Sequence, residues 1–195
     1  KISIENDSHK NYHKYHKKLN GKALLYQGNN EFKGVFNYLS GKGDINNEID
    51  ISSTPPNSSS YSPKHVVQFD SNAYYRSQNV ENAFICFDFK NRKISPTSYT
   101  IKSTSTNSIR PKSWVIEASN DNDTWVPVDV QNNSLVLNLA GSHHTFMINK
   151  TNDNQFRYLR MRQTDHGYNY NNNGSPRSDY LLVIESIEFY GYLFE

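Results

Sequence analysis

Short segments in which hydrophobic and polar residues alternate recur along most of the chain. Successive side chains of a β-strand point to opposite faces, so such alternation predicts strands that bury one face. The segment 84–89 is almost entirely apolar and places Ile85, Phe87 and Phe89 on one face, which indicates a central strand. Further strands are predicted at 49–51, 99–102, 113–118, 124–130, 135–139, 145–148, 157–162, 180–184 and 186–190.

Turn-forming residues separate the predicted strands. The run Asn120-Asp121-Asn122-Asp123 predicts a hairpin between the strands on either side of it. The Pro- and Ser-rich run 54–60 predicts an exposed loop. In the closing pair of strands, Leu182 and Ile184 occupy even-numbered positions, whereas Ile187 and Phe189 occupy odd-numbered ones, so an unbroken strand would place the two pairs on opposite faces. A bulge near Glu185 would let both pairs face inward.

Two short helices are predicted ahead of the strands. The segment 31–40 has apolar residues at helical spacing and ends before Gly41, a common helix terminator. The basic, His-rich segment 8–19 shows a similar but weaker spacing. Many short strands with few helices predict an all-β fold, an antiparallel sandwich or barrel.

Length and charge set the domain organisation and limit the partners. The chain has 195 residues, which suits a basic N-terminal arm at 1–22 and one β-sandwich domain at 23–195. The formal net charge is +2, so the whole protein carries no strong field toward nucleic acid or a membrane. No apolar run reaches the roughly 20 residues that span a bilayer. We therefore expect neither nucleic-acid binding nor membrane insertion.

Cysteine usage bears on the compartment. Cys86 is the single cysteine, which excludes an internal disulfide and favours a reducing, cytoplasmic setting. The start of the chain lacks the apolar segment of a secretory signal, and it opens on Lys1, as a fragment or processed chain would. Four glycosylation sequons begin at Asn6, Asn57, Asn132 and Asn149. Such sequons are used only in a secreted protein, so the expected reducing compartment argues against their glycosylation.

Two clusters suggest metal sites, and each has a simpler explanation. His9, His13 and His16 would share one helical face, but the lysines among them would repel a cation. Docking of the basic arm on an acidic partner, or a solvated tail, explains them as well. Asp121 and Asp123 offer too few oxygen ligands for calcium and fit turn chemistry better. We expect no metal and no cofactor, although a structural calcium in another loop stays open.

No pattern of catalytic residues emerges. Cys86 lies inside an apolar strand, where a thiol is a core residue with a raised pKa and little nucleophilicity. His143, His144 and His166 have no nucleophile motif near them, and the acidic residues show no spacing typical of an acid and base pair. The sequence therefore predicts no catalytic residue and no enzyme activity.

The order of several motifs resembles the discoidin family, also called coagulation factor 5/8 type C domains, within the galactose-binding-like superfamily. In chain order these motifs are the aromatic and Ser segment 69–77, the strand 84–89, the Arg110 loop leading into 113–121, Trp125, the segment 156–161 and the segment 187–191. The chain lacks the paired cysteines of extracellular members. It resembles more closely the intracellular protist and BTB-associated members.

The resemblance implies a jelly-roll β-sandwich that binds its ligand through loops at one end. On the corresponding loops it indicates a ligand-binding set of Tyr74, Tyr75, Arg76, Arg110, His166, Tyr168, Tyr170, Asn171 and Arg177. Aromatic rings supply contact area and Arg and Asn supply directional hydrogen bonds. As an alternative, Tyr75 fills the lower core, as the aromatic residue at this place often does in the family.

Three functions are compatible with the resemblance. The first is a non-catalytic recognition module that binds a protein partner in a larger intracellular assembly, for example a cytoskeletal or ubiquitin-linked one. The second is a lectin-like domain that binds a galactose-type glycan. The third is an accessory domain of an enzyme.

Overall fold

The computed structural model describes residues 21–69, 71–106, 109–149, 154–169 and 179–195. The helices are α1 (Val35–Ser40) and α2 (Ile45–Glu48), with 3-10 turns at Ser59–Tyr61 and Pro63–Val67. The strands are β1 (Lys22–Leu24), β2 (Asp50–Ser53), β3 (Tyr75–Arg76), β4 (Phe84–Asp88), β5 (Lys93–Lys102), β6 (Ile109–Arg110), β7 (Trp114–Ser119), β8 (Val126–Gln131), β9 (His143–Met147), β10 (Tyr158–Gln163), β11 (Tyr168–Asn169), β12 (Val183–Ile184) and β13 (Ser186–Phe194).

Two antiparallel sheets form the predicted β-sandwich. One sheet has the strand order β1-β13-β5-β9 and the other the order β2-β4-β10-β7-β8. The pair β7 and β8 is the hairpin predicted around 120–123, and β4 is an interior strand as predicted. Lys22 already belongs to β1, so the sheet begins one residue before the predicted domain start. The rest of the predicted arm, including the helix at 8–19, lies outside the described residues.

Large aromatic side chains fill the space between the sheets. The face predicted for 84–89 is confirmed, because Ile85, Phe87 and Phe89 are fully buried. Phe87 meets Phe189 of the opposite sheet with ring centres 5.9 Å apart. Full burial of one such side chain contributes about 1.5–3 kcal/mol, so this layer supplies a large share of the stability.

One buried carboxylate accepts hydrogen bonds from the start of α1. Glu188 is completely buried in β13 and accepts hydrogen bonds from the backbone N–H groups of Gly34, Phe36, Asn37 and Phe189. These donors include N–H groups of the first helical turn, which have no partner within the helix. The sequence predicted a helix from residue 31, but Phe32 has a φ of 57°, which a right-handed helix does not accommodate. The helix therefore starts only at Val35.

The prediction of a strand at 135–139 is wrong. This segment consists of turns, in which Asn138 N donates to Leu135 O and Ser142 N donates to Leu139 O. Leu135 and Leu139 are 60% and 69% exposed, whereas Leu137 is fully buried. The chain crosses here from β8 in one sheet to β9 in the other, and Leu137 alone reaches the core.

The C-terminal strands confirm the inward packing but not the predicted bulge. The side chains of both pairs are fully buried, namely Leu182, Ile184, Ile187 and Phe189. At Glu185 the chain changes partner instead, because β12 pairs with β3 and β13 pairs with β5. The register shift in β13 falls between Tyr190 and Gly191. A Cβ at Gly191 would lie 2.1 Å from Ser95 O, so only glycine fits there.

Candidate functional site

Two short ribbons extend from one end of the sandwich. In one, β3 pairs with β12, and in the other, β6 pairs with β11. A small apolar cluster joins them, made of Ile109, Leu181 and Val183 with Tyr74 packed against it. We call this region, residues 61, 74–76, 109–112, 165–169 and 179–183, the ribbon end. It brings together the loops on which the sequence placed the ligand site.

Arg76 and two tyrosines occupy one side of the ribbon end. The rings of Tyr61 and Tyr74 lie 5.0 Å apart, and the Arg76 guanidinium carbon lies 5.8 Å from the centre of the Tyr61 ring. Arg76 Nε is buried and has no hydrogen-bond partner among the described residues. Leaving a buried donor unmatched costs about 1–3 kcal/mol. The residue as a whole is only half-buried, so part of its side chain stays exposed beside the Tyr61 ring.

Arg110 and Tyr168 pair across the second ribbon. Arg110 is only 8% exposed, so it forms part of the base of this surface. Lys112 Nζ lies 5.7 Å from the centre of the Tyr168 ring and 3.8 Å from Asp165 Oδ2. A cation and an aromatic ring thus lie next to each other, as on the Arg76 side.

His166 is held between an acid and an aromatic ring. Its Nδ1 lies 2.9 Å from Asp165 Oδ1, and its ring centre lies 4.1 Å from that of Tyr180. Hydrogen bonds from the backbone N–H and then the side chain of His166 lower the pKa of Asp165. Burial, followed by the charge of Glu81, raises the pKa of Tyr180. These contacts fix the orientation of a half-buried imidazole.

The structure places the predicted residues in three groups. Tyr74, Arg76, Arg110, His166 and Tyr168 meet at the ribbon end. Tyr75 is fully buried and donates a 2.6 Å hydrogen bond from its hydroxyl to Thr54 O, which favours the alternative that it is a core residue. Burial raises its pKa to about 12. The remaining residues, Tyr170, Asn171 and Arg177, lie outside the described residues.

The sequence did not indicate three residues of this surface, Tyr61, Lys112 and Tyr180. Tyr61 follows a Ser-rich loop and Tyr180 was assigned to a strand, so neither stood in a recognisable site motif. Lys112 lies in the Arg110 loop but was not singled out. The aromatic and cationic composition of these loops was the one available signal.

The other chemical candidates have structural roles or lie outside the described residues. Within the described part of the chain, no three His, Cys, Asp or Glu side chains are grouped to hold a metal ion. His9, His13 and His16 lie outside that part. Asp121 Oδ1 accepts hydrogen bonds from the backbone of Asp123 and Thr124, and these bonds lower its pKa to about 2. Asp121 therefore builds the hairpin turn, as predicted.

Cys86 is buried, and its burial raises the pKa of the thiol to about 11, as predicted for an unreactive cysteine, but it lies on the outer face of β4 and not in the aromatic core cluster. Among the described residues, no helix has the length and apolar character needed to cross a membrane.

Comparison with solved structures identifies proteins of similar fold. A chitosan-binding module derived from a chitosanase/glucanase of Paenibacillus sp. IK-5 is 14% identical, over 74% of this chain and 96% of that module, with a TM-score of 0.54. A fucolectin from striped bass serum is 12% identical, over 76% of this chain and 47% of the lectin, with a TM-score of 0.55. A carbohydrate-binding module of Clostridium perfringens, in complex with GalNAc-β-1,3-galactose, is 12% identical, over 76% of this chain and 96% of that module, with a TM-score of 0.52.

The protein therefore shares the antiparallel β-sandwich fold of these three proteins, which agrees with the discoidin-like fold that the sequence resemblance implied. At such low identity the likeness shows the fold alone. No protein-family model matches the sequence, and neither does any curated protein. The finer resemblance to protist and BTB-associated members stays a prediction.

Proposed function

We propose that this chain is a non-catalytic glycan-binding module whose ligand site is the ribbon end. The observation that carries the proposal is the convergence of Arg76, Lys112 and His166 with tyrosine rings on short ribbons outside the main core. The lectin-like alternative thereby becomes the leading function, ahead of binding to a protein partner. Similar folds occur in a chitosan-binding module, a fucolectin and a module bound to GalNAc-β-1,3-galactose.

The chemistry of the ribbon end suits a sugar. The apolar C–H face of a pyranose packs on a tyrosine ring, while Arg, Lys and His donate hydrogen bonds to its hydroxyl groups. Tyr61 and Tyr74 supply ring surface beside Arg76, and Tyr168 supplies it beside Lys112. Contacts with Asp165 and Tyr180 already orient His166, which reduces the entropy lost on binding. A galactose-type glycan is the ligand class that we infer.

A glycan array with the intact chain tests this function, followed by calorimetry on each glycan that binds. We expect Arg76→Ala to weaken binding at least tenfold, because hydrogen bonds from a charged group contribute about 1.5–3 kcal/mol. Lys93→Ala is the control, since Lys93 is exposed at the opposite end of β5. Equal affinity of Arg76→Ala and wild type would exclude the ribbon end.

The same experiment separates glycan binding from protein binding. Tyr and Arg are also typical of protein hot spots, so a pull-down is run with wild type and Arg76→Ala. An array without hits, together with a protein partner that is lost in Arg76→Ala, would contradict glycan binding and favour the partner in an assembly.

An accessory role beside a catalytic domain is a second candidate. The chitosan-binding module of similar fold derives from a chitosanase/glucanase, so such sandwiches occur next to enzymes. In that case the chain would hold a catalytic domain on its polysaccharide. The coding sequence around this chain tests the idea, because it would have to encode a glycan-active domain.

A further inference from the structure

A second concave surface lies on the outer face of the five-stranded sheet, toward the end opposite the ribbons. It is a cleft of about 220 Å³. Its lining residues include Asp50 and Ser52 of β2, Asp88 of β4, Tyr158 of β10 and Asn122 of the β7–β8 turn. In the sheet register, Asp88 and Tyr158 pair at the end of the sheet away from Phe84 and Arg162. The cleft is therefore separate from the ribbon end.

The turn that carries Asn122 is rigid before any ligand binds. Asp121 Oδ1 accepts from the backbone N–H of Thr124 at 2.8 Å, and Asn122 N donates to Ser119 Oγ at 3.0 Å. The neighbouring Asn120 ties the turn to the residue that precedes β10, because its Oδ1 accepts from Arg157 N at 3.1 Å. Such a pre-formed turn loses little conformational entropy when a ligand binds.

Asn122 itself is free to make contacts. Its φ is 63°, an arrangement that Asn tolerates better than most residues. Its side-chain amide is exposed and makes no hydrogen bond to any residue in the described part of the chain. It thus offers donors and an acceptor at the mouth of the cleft.

The charges around the cleft are already balanced within the protein. Arg157 forms a two-bond pair with Asp88, in which Nε and Nη2 each lie 2.7 Å from a carboxylate oxygen. Lys90 Nζ lies 3.2 Å from Asp50 Oδ1, and that carboxylate remains 70% exposed. Among the described residues that line the cleft, an anionic ligand would find no unpaired cation. A neutral ligand with several hydroxyl groups would find carboxylate, amide and hydroxyl partners.

One wall of the cleft is aromatic. Tyr158 lines it, with the Arg157 guanidinium carbon 4.9 Å from the ring centre and the Trp125 ring centre 6.5 Å away. These neighbours hold the ring in place, so it presents a fixed surface to the C–H groups of a ligand. The volume is below the roughly 300–1,000 Å³ of drug-sized pockets, which fits one small ring rather than a long chain.

We propose that this cleft is a second binding site, for a single neutral hexopyranose unit, formed by Asn122, Asp50, Ser52 and the Tyr158 ring. It is independent of the ribbon end, so each site can be present or absent without the other. A module with both sites would contact two units of a glycan, or two glycan chains, and gain avidity from the pair.

The test is a titration of the isotope-labelled intact chain, followed by the backbone amide signals in NMR spectra. The probes are methyl β-D-galactopyranoside and methyl N-acetyl-β-D-glucosaminide, with glucuronic acid as the anionic comparison. We expect one neutral probe to shift the amides of residues 50–52, 86–88 and 122 in a saturable way. Glucuronic acid is expected to bind there at least fivefold more weakly.

Variants assign the binding to the cleft. Asn122→Gly removes the amide but accepts the positive φ, so the turn is kept, and we expect about fivefold weaker binding. Asn133→Gly is the matched control, since Asn133 is also exposed and has a φ of 51° but does not line the cleft. Unchanged affinity in Asn122→Gly, or equal binding of glucuronic acid, would overturn the proposal.

The titration also separates this proposal from the proposed function. Shifts confined to the ribbon end, which disappear in Arg76→Ala, would overturn the second site and leave the first intact. Shifts confined to the cleft would support the second site and count against the first. No shift with any probe would overturn the second site, and the glycan array would then decide the first.

Discussion

The sandwich core and the ribbon end are held together in different ways. In the core, β5 and β13 pair over nearly their whole lengths of ten and nine residues, around a continuous layer of aromatic side chains. Each of the four ribbon strands has two residues, and their shared cluster has three buried apolar side chains. Regions with few buried contacts open locally at a lower free energy than the global unfolding.

If the ribbon end is the binding site, as we propose, this contrast separates residues that stabilise the fold from residues that contact the ligand. Glu188, which is buried in the core, has its hydrogen-bonding partners inside the protein, although Ser98 Oγ of β5 is buried without a partner among the described residues. At the ribbon end, Arg76 keeps a donor without a partner among the described residues. We therefore expect core substitutions to change the free energy of unfolding, and ribbon substitutions to change binding or local opening.

The largest effect is expected for Glu188→Ala. The substitution leaves the backbone N–H groups of Gly34, Phe36, Asn37 and Phe189 without their acceptor. We expect the free energy of unfolding in urea to fall by about 4 kcal/mol. Glu195→Ala is the control, because its pair with Lys42 is exposed to solvent and its loss should leave the free energy of unfolding nearly unchanged. Similar losses in both variants would contradict the role of Glu188.

The next effect is the pH dependence that Glu188 contributes. Burial raises its pKa to about 7 from an ordinary 4.5, against the opposing hydrogen bonds of the α1 backbone. The folded state therefore binds this proton more tightly than the unfolded state. The stabilisation is complete below pH 4.5 and is lost as the pH rises through about 7.

Urea unfolding of wild type and Glu188→Gln across this pH range measures the contribution. The wild-type stability should fall relative to the variant by on the order of 3 kcal/mol as the pH rises. Two curves that stay parallel between pH 4.5 and pH 7 would show that Glu188 does not titrate there.

A pair of leucines tests the corrected segment between β8 and β9. Leu137→Ala should lower the free energy of unfolding by about 2.5 kcal/mol, because Leu137 is fully buried. Leu135→Ala should change it by less than about 0.5 kcal/mol, since Leu135 is 60% exposed. Equal losses would indicate that the whole segment packs as a strand. Thermal or urea unfolding of the two variants is sufficient.

The same segment shows how far the sequence could predict the fold. The apolar run 84–89 identified β4 because this strand is paired on both sides and buries Ile85 and Phe87 in the core. In the crossing loop the apolar residues look the same in sequence, but a single side chain, Leu137, reaches the core. Local pattern cannot distinguish these cases, because pairing with distant strands decides them.

The candidate surface was predictable where family likeness indicated loops, and not where distant residues meet. Arg76 and Arg110 were predicted in this way, and the two ribbons place them on one surface through pairing with β12 and β11. Tyr61 reaches the same surface through packing on Tyr74, thirteen positions along the chain. Contacts across such distances leave no periodicity in the sequence.

The smallest expected effect concerns the ribbon end itself. Tyr74→Ala removes the side chain that packs against Ile109, Leu181 and Val183. We expect the free energy of local opening to fall by about 1 kcal/mol, so that hydrogen exchange at the amides of β3, β6, β11 and β12 becomes faster. The free energy of global unfolding in urea should stay nearly unchanged. Tyr192→Ala, on β13 of the sandwich, is the control and should leave the ribbon amides protected as before. A loss of global stability equal to the local loss would show that ribbon and core unfold as one unit, and the separation between recognition and stability would not hold.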